Sequence, residues 1–502
     1  MVSYPMAMST KVLFVIAEMV PLVKVGGLAD IGGSLPRALR GIGLDARVAL
    51  PYYANIDGEA LALRRLDSLP EGAAVWQGEA RGVPVYLIEH APSFGREEVY
   101  GYDDDAARFL SFCDGLLAAA EPLASAEPAE AGWKPDILHL HDWHPGFLAS
   151  RLQGQPEHPW AGVPRVSTIH NLVFTGPFDR AFAEEHGLPE RALEPPPGLA
   201  AELPFSALAQ GILHADLVST VSPTYAREIL TPEVGGALSP LLERLGDRLC
   251  GILHGIDVKE YDPTTDPHLA ARFGAEHIEG RVENKRALQR RLGLPVDGEV
   301  ALLGMVSRLF WQKGSDLAVA AVERLLAGQQ QDDTSAGRLQ FVVLGQGDEE
   351  HERPLLELAE RWPQHVAVRI EFNHELAQLI YGGCDLFVMP SRYEPCGLGQ
   401  LIAMRYGAVP VVRRTGGLAD SVAPYDGAEQ GTGFVFDEAS PEALTAALEQ
   451  ALATYREGTA WRSLQRRGMA QDVSWARAAA QYDDLYRRIV RARAGRPAGE
   501  AR

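Results

Sequence analysis

Short apolar runs recur along this chain, each followed by a polar loop and then a helical segment. That rhythm limits the possible folds more than any other feature. The fullest instance is residues 386–420, LFVMPSRYEPCGLGQLIAMRYGAVPVVRRTGGLAD. Leu386 to Pro390 reads as a buried strand, Ser391 to Gln400 as a loop and Leu401 to Tyr406 as helix. Val409 to Val412 is a second strand, ending in the glycine turn Thr415-Gly416-Gly417. Strands joined through helices lie parallel, and ligands of open α/β sheets bind beyond their carboxyl ends. The loop carries Arg392, Glu394, Cys396, Gly397 and Gly399, so it offers charge and close backbone approach together.

At 502 residues the chain exceeds one ordinary core, and two domains of about 200–250 residues each are expected. The net charge of −20 argues against nucleic acid or an anionic membrane as partner. Cys113, Cys250, Cys384 and Cys396 form no CxxC pair, which fits a reduced, cytoplasmic protein. No run approaches the roughly 18 apolar residues of a membrane span. Residues 1–10 lack the basic start and apolar core of a secretory signal.

The same rhythm opens the chain. Lys11 to Ala17 is a strand, Leu28 to Leu39 a helix despite Gly32, Gly33 and Pro36, and Arg47 to Leu50 the next strand. Between the first two lies Lys24-Val-Gly-Gly-Leu-Ala-Asp30, where Gly26 and Gly27 allow backbone N–H groups to approach an anion and Lys24 adds charge. A plain glycine turn is the commoner reading of such a stretch taken alone. Val83 to Ile88 is a strand, Tyr100 to Leu117 a helix, and Ala119 to Trp133 a surface helix and loop. Asp136 to Leu140 leads into His141-Asp142-Trp143-His144. Residues 139 and 141 share a strand face, but no second ligand cluster completes a metal site, so a polar loop lining a cleft is favoured. Arg165 to Ile169 ends in His170-Asn171. Phe205 to His214 is helical, Leu217 to Val221 a strand, and Ser222-Pro223 caps the following helix. Leu249 to Leu253 precedes His254-Gly255-Ile256-Asp257.

A turn-rich, charged stretch from 257 to 298 places a domain boundary near 258. Beyond it Glu299 to Val306 ends in Ser307-Arg308, with Lys313 just before a helix starting near Ser315. Two cations at one strand end suit a diphosphate. The alternative is a solvated basic loop, made less attractive by Arg392 falling at another strand end. Gln340 to Leu344 and Val366 to Phe372 are further strands; Phe372 reads equally as a base-stacking ring or a cap on the core. The pentapeptide Gly26-Gly-Leu-Ala-Asp30 recurs as Gly416-Gly-Leu-Ala-Asp420, which suggests two domains on one plan clamping a ligand between them. A last helix, Trp475 to Val490, has an apolar stripe of Trp475, Tyr482, Leu485, Tyr486 and Ile489 that reads as packing, and residues 493–502 read as a disordered tail.

Taken together, KVGGLAD (24–30), HDWH (141–144), TIHNL (168–172), VSPTY (221–225), GILHGID (251–257), SRLFWQKG (307–314), PSRYEPCGL (390–398) and RTGGLAD (414–420) make the chain resemble bacterial glycogen synthases and plant starch synthases. The resemblance implies two facing Rossmann-like domains, the GT-B architecture, with residues 1–258 on the acceptor side and 259–473 binding the nucleotide sugar. It also implies a helix over 474–492 that crosses back to the N-terminal domain. The activity it implies is retaining transfer of glucose from ADP-glucose to the non-reducing end of an α-1,4-glucan or glycogen primer, with no cofactor and no metal. Arg308 and Lys313 resemble the pair on the donor diphosphate, Glu394 the acidic residue at the donor sugar, and His170 the residue beside the reacting sugar. Lys24, Gly26, Gly27, Thr415, Gly416 and Gly417 resemble the phosphate cradle. Cys396, Gly397, Leu398 and Gly399 lie in the donor loop, Phe372 falls where the adenine lies, and Asp30, Asp142 and Asn171 resemble contacts to sugar and acceptor. Two positions depart from many bacterial members: His254 replaces an Asn and Gly399 a Thr, and both bear on donor preference.

By this reading Arg308 and Lys313 stabilise the departing nucleoside diphosphate, the acceptor attacks from the same face, and Glu394 positions the donor. The rivals are UDP-glucose as donor, another acceptor, and a two-lobed nucleotide- or sugar-binding protein without catalysis. A nicotinamide enzyme is disfavoured because Gly345-Gln-Gly347 stops short of the dinucleotide fingerprint.

Overall fold

The structure, a computed structural model, describes residues 9–125, 133–329, 339–427 and 430–494. It divides into two compact units. The first holds Met1–Val221, Ala226–Ile252 and Trp475–Arg502; the second holds Ser222–Tyr225 and Leu253–Ser474.

The first unit is built on a sheet of β1 (Lys11–Val15), β2 (Asp45–Pro51), β3 (Arg64–Ser68), β4 (Ala74–Ala80), β5 (Val83–Glu89), β6 (Ile137–His141), β7 (Arg165–Ile169), β8 (Leu217–Thr220) and β9 (Leu249–Gly251). Their order is β3-β4-β5-β2-β1-β6-β7-β8-β9. Strands β5 through β9 in that order pair in parallel, as the β–loop–α rhythm requires. The doubly wound pattern does not reach the other edge. There β3, β4 and β5 are antiparallel, and β4 turns into β5 through Arg81 and Gly82, both with positive φ, the tight-hairpin geometry. The exposed polar β3 carries no apolar periodicity to announce it.

The second sheet contains β10 (Ala301–Val306), β11 (Leu339–Gly345), β12 (Val366–Ile370), β13 (Leu386–Met389), β14 (Val409–Arg413) and β15 (Phe434–Phe436). Its order is β12-β11-β10-β13-β14-β15, all parallel: the doubly wound arrangement with its reversal between β10 and β13. Apolar side chains cover both faces, Leu303, Phe341 and Val411 on one and Leu302, Val342 and Phe387 on the other.

The Gly27–Gly41 helix runs unbroken through Gly32, Gly33 and Pro36. A Cβ at Gly32 would strike the Glu18 carbonyl, and one at Gly33 the Val20 carbonyl, so these glycines let the helix lie against the loop that follows β1. The stretch after Ala119 is less superficial than its composition suggests. Leu123 and Trp133 are buried, and the Trp133 indole N–H donates to Asp45 at 2.7 Å; residues 126–132 lie outside the described set. The last helix, Ala476–Ala494, belongs to the first unit and buries Tyr482, Leu485, Tyr486 and Ile489 there. Arg493, placed in the tail by sequence, is still helical and pairs with Asp216; residues 495–502, like 1–8, lie outside the described set. No helix among the described residues is long and apolar enough to cross a membrane.

Candidate active site

In the first sheet the strand order reverses between β1 and β6, so the loops after β1, β6 and β7 gather at one carboxyl edge. The loop after β1 is organised by a residue that sequence reading missed. Glu18 is buried, and one carboxylate oxygen accepts the N–H groups of Val25 (2.6 Å) and Gly26 (2.8 Å). Its other oxygen accepts the Tyr100 hydroxyl at 2.8 Å, whose pKa burial and the Glu18 charge hold well above the usual phenol value. The available clue was a single carboxylate inside the apolar run Ile16–Leu22.

Glu18 narrows the expected phosphate cradle, because the Gly26 N–H is already committed. What remains is the start of the Gly27–Gly41 helix, whose first N–H groups have no intrahelical partner. A Cβ at Gly26 or Gly27 would meet nothing within 4 Å, so both glycines border open space. Lys24 pairs with Asp30 at 2.7 Å, and both are partly exposed.

Asp142, just after β6, adopts φ +59, a conformation that Asp tolerates better than most residues. Its Oδ1 accepts the N–H groups of His170 (2.7 Å) and Asn171 (3.3 Å), tying the β6 loop to the β7 loop. Burial raises its pKa to about 7, with the Glu18 charge adding and the two hydrogen bonds opposing. The His170 Nε2 lies 2.8 Å from His141 Nδ1. The Asn171 carboxamide oxygen accepts from Val173 N–H at 3.2 Å, shaping the turn that exposes Val173 and Phe174. The other histidines of this stretch do not face a cleft. His139 is fully buried, and His144 packs against Tyr100, Phe109 and Trp143, burial lowering its pKa to about 3 and so keeping it neutral.

These facts set a pH expectation. Asp142 titrates near 4 in the unfolded chain and near 7 when folded, so its contribution to stability is full below pH 4 and is lost as pH rises to about 7. Asp142→Asn removes that loss while keeping an acceptor oxygen. The variant's stability relative to the parent therefore improves between pH 4 and 8 in denaturant titrations. A pH-independent difference would contradict the assignment.

In the second sheet the reversal lies between β10 and β13, and the charged residues follow those strands. After β10 the chain makes one 3₁₀ turn, Trp311–Lys313, ending at Gly314 with φ +68. A Cβ at Gly314 would collide with the Pro390 carbonyl, so this turn packs against the end of β13. The Lys313 Nζ thereby reaches Glu394 Oε2 at 2.6 Å, and the Ser391 hydroxyl donates to the same oxygen at 3.0 Å. Glu394 is buried and Lys313 nearly so. Arg308 is exposed, lies 5.3 Å over the Phe310 ring and has no carboxylate partner among the described residues. Arg392, the cation expected at another strand end, forms a two-pronged pair with Asp316 (2.8 and 2.6 Å), donates to the Trp311 carbonyl, and lowers the Asp316 pKa.

The second glycine turn also differs from expectation. Gly416 has φ +42, and a Cβ there would overlap the Glu394 carbonyl; one at Gly417 would overlap the Cys396 carbonyl. The Gly417 N–H donates to the Glu394 and Pro395 carbonyls, and the Thr415 carbonyl accepts from Leu418 and Ala419. Gly416 and Gly417 therefore fit the turn against the Glu394–Cys396 loop, and the Gly417 N–H is not available to a phosphate. Asp420 accepts the N–H and hydroxyl of Thr224 at 2.7 Å each, whereas Asp30 of the first copy pairs with lysine. Gly397 has φ +70, and Gln400 ties the carbonyls of Cys396 and Gly397 to Ser421. Leu398 caps the helix that Gly399 begins, and a Cβ on Gly399 would lie 3.0 Å from the Phe387 ring. The Cys396 thiol, raised to about 12 by burial, takes a backbone hydrogen bond from His254, whose own imidazole is buried and held neutral near pKa 3. Phe372, just beyond β12, is 76% exposed, which excludes the core-capping reading.

Comparison with known proteins agrees with this layout. The family described as starch synthase catalytic domain matches residues 11–244, and that described as glycosyl transferases group 1 matches 288–466. A glycogen synthase of Syntrophotalea carbinolica is 43% identical over 495 residues, covering 95% of this chain and 99% of that protein. One of Gloeobacter violaceus is 44% identical over 501 residues, covering 96% and 99%. Among solved structures, the catalytic domain of starch synthase IV from Arabidopsis thaliana, bound to ADP and acarbose, superposes with a TM-score of 0.84 at 34% identity, covering 96% of this chain and all of that one. The two parallel-sheet α/β domains are those of the GT-B fold. With near-full-length identity to glycogen synthases and charged residues at both strand reversals, the chain belongs to the glycogen synthase and starch synthase family of glycosyltransferases.

Proposed function

We propose that the glucosyl donor is ADP-glucose, and that glucose passes to the non-reducing end of an α-1,4-glucan with retention at the anomeric carbon. The second unit binds the nucleotide sugar and the first receives the acceptor. The observation that carries this is the Lys313–Glu394 contact at the β10–β13 reversal, with Arg308, exposed and without a carboxylate partner among the described residues, on the same loop after β10. Breaking the sugar–phosphate bond transfers negative charge to the departing diphosphate. Fixed cations placed there stabilise the transition state more than the ground state. Glu394 is buried, salt-bridged and hydrogen-bonded, which favours a positioning role at the donor sugar over attack on it. The leaving phosphate takes the acceptor's proton on the same face, and a trapped glucosyl–Glu394 adduct would overturn that route. His170, held by Asp142 and His141, stands beside the reacting sugar. ADP in the related starch synthase structure supports the same leaving group here. All four cysteines are free thiols, which supports a reducing, cytoplasmic setting.

The test is to mix the purified protein with glycogen and either ADP-glucose or UDP-glucose, following nucleoside diphosphate release and glucan growth together. Release with growth from ADP-glucose is expected; growth from UDP-glucose alone would overturn the donor assignment, and release without growth the acceptor. The exposed Phe372 supplies a stacking face for the base. Phe372→Ala is expected to raise KM for ADP-glucose about tenfold, the scale of one lost base–aromatic stack, with the unfolding midpoint unchanged. An unchanged KM would remove Phe372 from the site.

A further inference from the structure

We infer that Tyr486, on the C-terminal helix, is a positioning residue for His170, acting through His139 and His141. The inference rests on the role proposed for His170.

The Tyr486 hydroxyl lies 2.7 Å from His139 Nδ1, and on the ring's other side His139 Nε2 lies 2.6 Å from Thr168 Oγ1. The Thr168 hydroxyl continues to Ser219 Oγ at 2.6 Å. All four side chains are buried, and burial holds the Tyr486 phenol well above its usual pKa, so it keeps its proton. A neutral imidazole between two hydroxyls satisfies both contacts in either tautomer, one hydroxyl donating and the other accepting. The ring is therefore fixed at both nitrogens.

Residues 139 and 141 share a face of β6, and their ring centroids are 4.1 Å apart. Phe14 of β1 packs against both, at 4.9 Å from His139 and stacked 5.1 Å from His141. His141 thus sits between a ring that Tyr486 pins and the imidazole it contacts, His170, at 2.8 Å. Tyr482, one turn earlier on the same helix, closes over His139 at 5.4 Å. The last helix in this sense braces β6 from behind, more than three hundred residues further along the chain. Its apolar stripe, read from sequence as packing, includes a phenol that reaches a buried histidine.

The experiment is a double-mutant cycle on the full chain, measuring kcat and KM for ADP-glucose with glycogen. Tyr486→Phe keeps the ring and removes the hydroxyl. It is expected to lower kcat about tenfold while KM changes less than about twofold, because misplacement costs the reacting geometry more than binding. In a His170→Ala background the same substitution is expected to have no further effect, since it has nothing left to position. An equal loss in both backgrounds, or none in either, would overturn the inference while leaving the role of His170 standing. If His170→Ala leaves kcat intact, the reading of His170 fails and this inference with it. Should Tyr486→Phe reduce the folded fraction, judged by its unfolding midpoint, His139→Gln in the same cycle interrogates the hydrogen bond from its other end.

Discussion

Lys313→Ala is expected to lower turnover by about a thousandfold or more while KM for the donor changes less than tenfold. The scale follows from removing one preorganised charge at the point where charge develops, an effect on the order of 10²–10³ in kcat for a neutral donor and larger for a cation. The structure adds a complication absent from the sequence. Lys313 also neutralises Glu394, which is buried beneath it. Truncating one partner of such a pair leaves the other charge stranded, at a cost of about 3 kcal/mol. The single variant should therefore keep its fold but unfold at a lower temperature, and a lowered rate alone would be ambiguous. Lys313→Ala combined with Glu394→Gln separates the two effects. The double variant has no stranded charge, so its unfolding midpoint should return towards that of the parent while turnover stays low. If turnover returns along with stability, Lys313 serves the loop and not the leaving group.

The same pair marks the boundary of what the sequence conveys. Strand ends were legible because apolar runs of the right length stop at polar loops, and parallel topology follows from the helices between them. That logic put Arg308, Lys313, Glu394, Asp142 and His170 at carboxyl edges, where the two sheet reversals lie. It could not say which charges were already used. Arg392 and Asp316 are 76 residues apart in sequence, and only the packing of the Trp311–Lys313 turn against the end of β13 brings them into a two-pronged pair. Glu18 was illegible for a related reason: its partners are two backbone N–H groups and a distant phenol, none of which leaves a residue-type signature. His139 and His144 misled because the same histidines that would suit a polar loop also suit buried aromatic clusters, His139 against Tyr482 and Tyr486 of the last helix and His144 against Tyr100, Phe109 and Trp143. The edge hairpin β3–β4 was missed because a solvated strand needs no apolar face.

The two copies of Gly-Gly-Leu-Ala-Asp make the sharpest contrast, and the second large effect is expected there. Gly417→Ala places a methyl group on the Cys396 carbonyl, and no flexible side-chain end is available to yield. The backbone must move, and the segment that moves carries Glu394, whose carbonyl is held by the Gly417 N–H at 3.0 Å. A displacement near 1 Å at a reacting geometry costs about a hundredfold in rate, and overpacking about 1–3 kcal/mol in stability. Gly417→Ala should therefore lose both turnover and stability. Gly27→Ala, at the matching position of the first copy, adds its methyl group to open space at the first residue of a helix, where alanine is the better helix former. Its stability should hold or rise slightly. Turnover and donor KM then report on what enters that space: if the donor's phosphates approach the start of this helix, KM for ADP-glucose rises several-fold in a protein that is otherwise as stable as the parent. If Gly27→Ala is silent in both measurements, the first copy is a turn and the cradle belongs to the second unit alone. If Gly417→Ala is silent, the Glu394 loop tolerates a shift that the proposed chemistry does not allow, and the positioning role assigned to Glu394 falls.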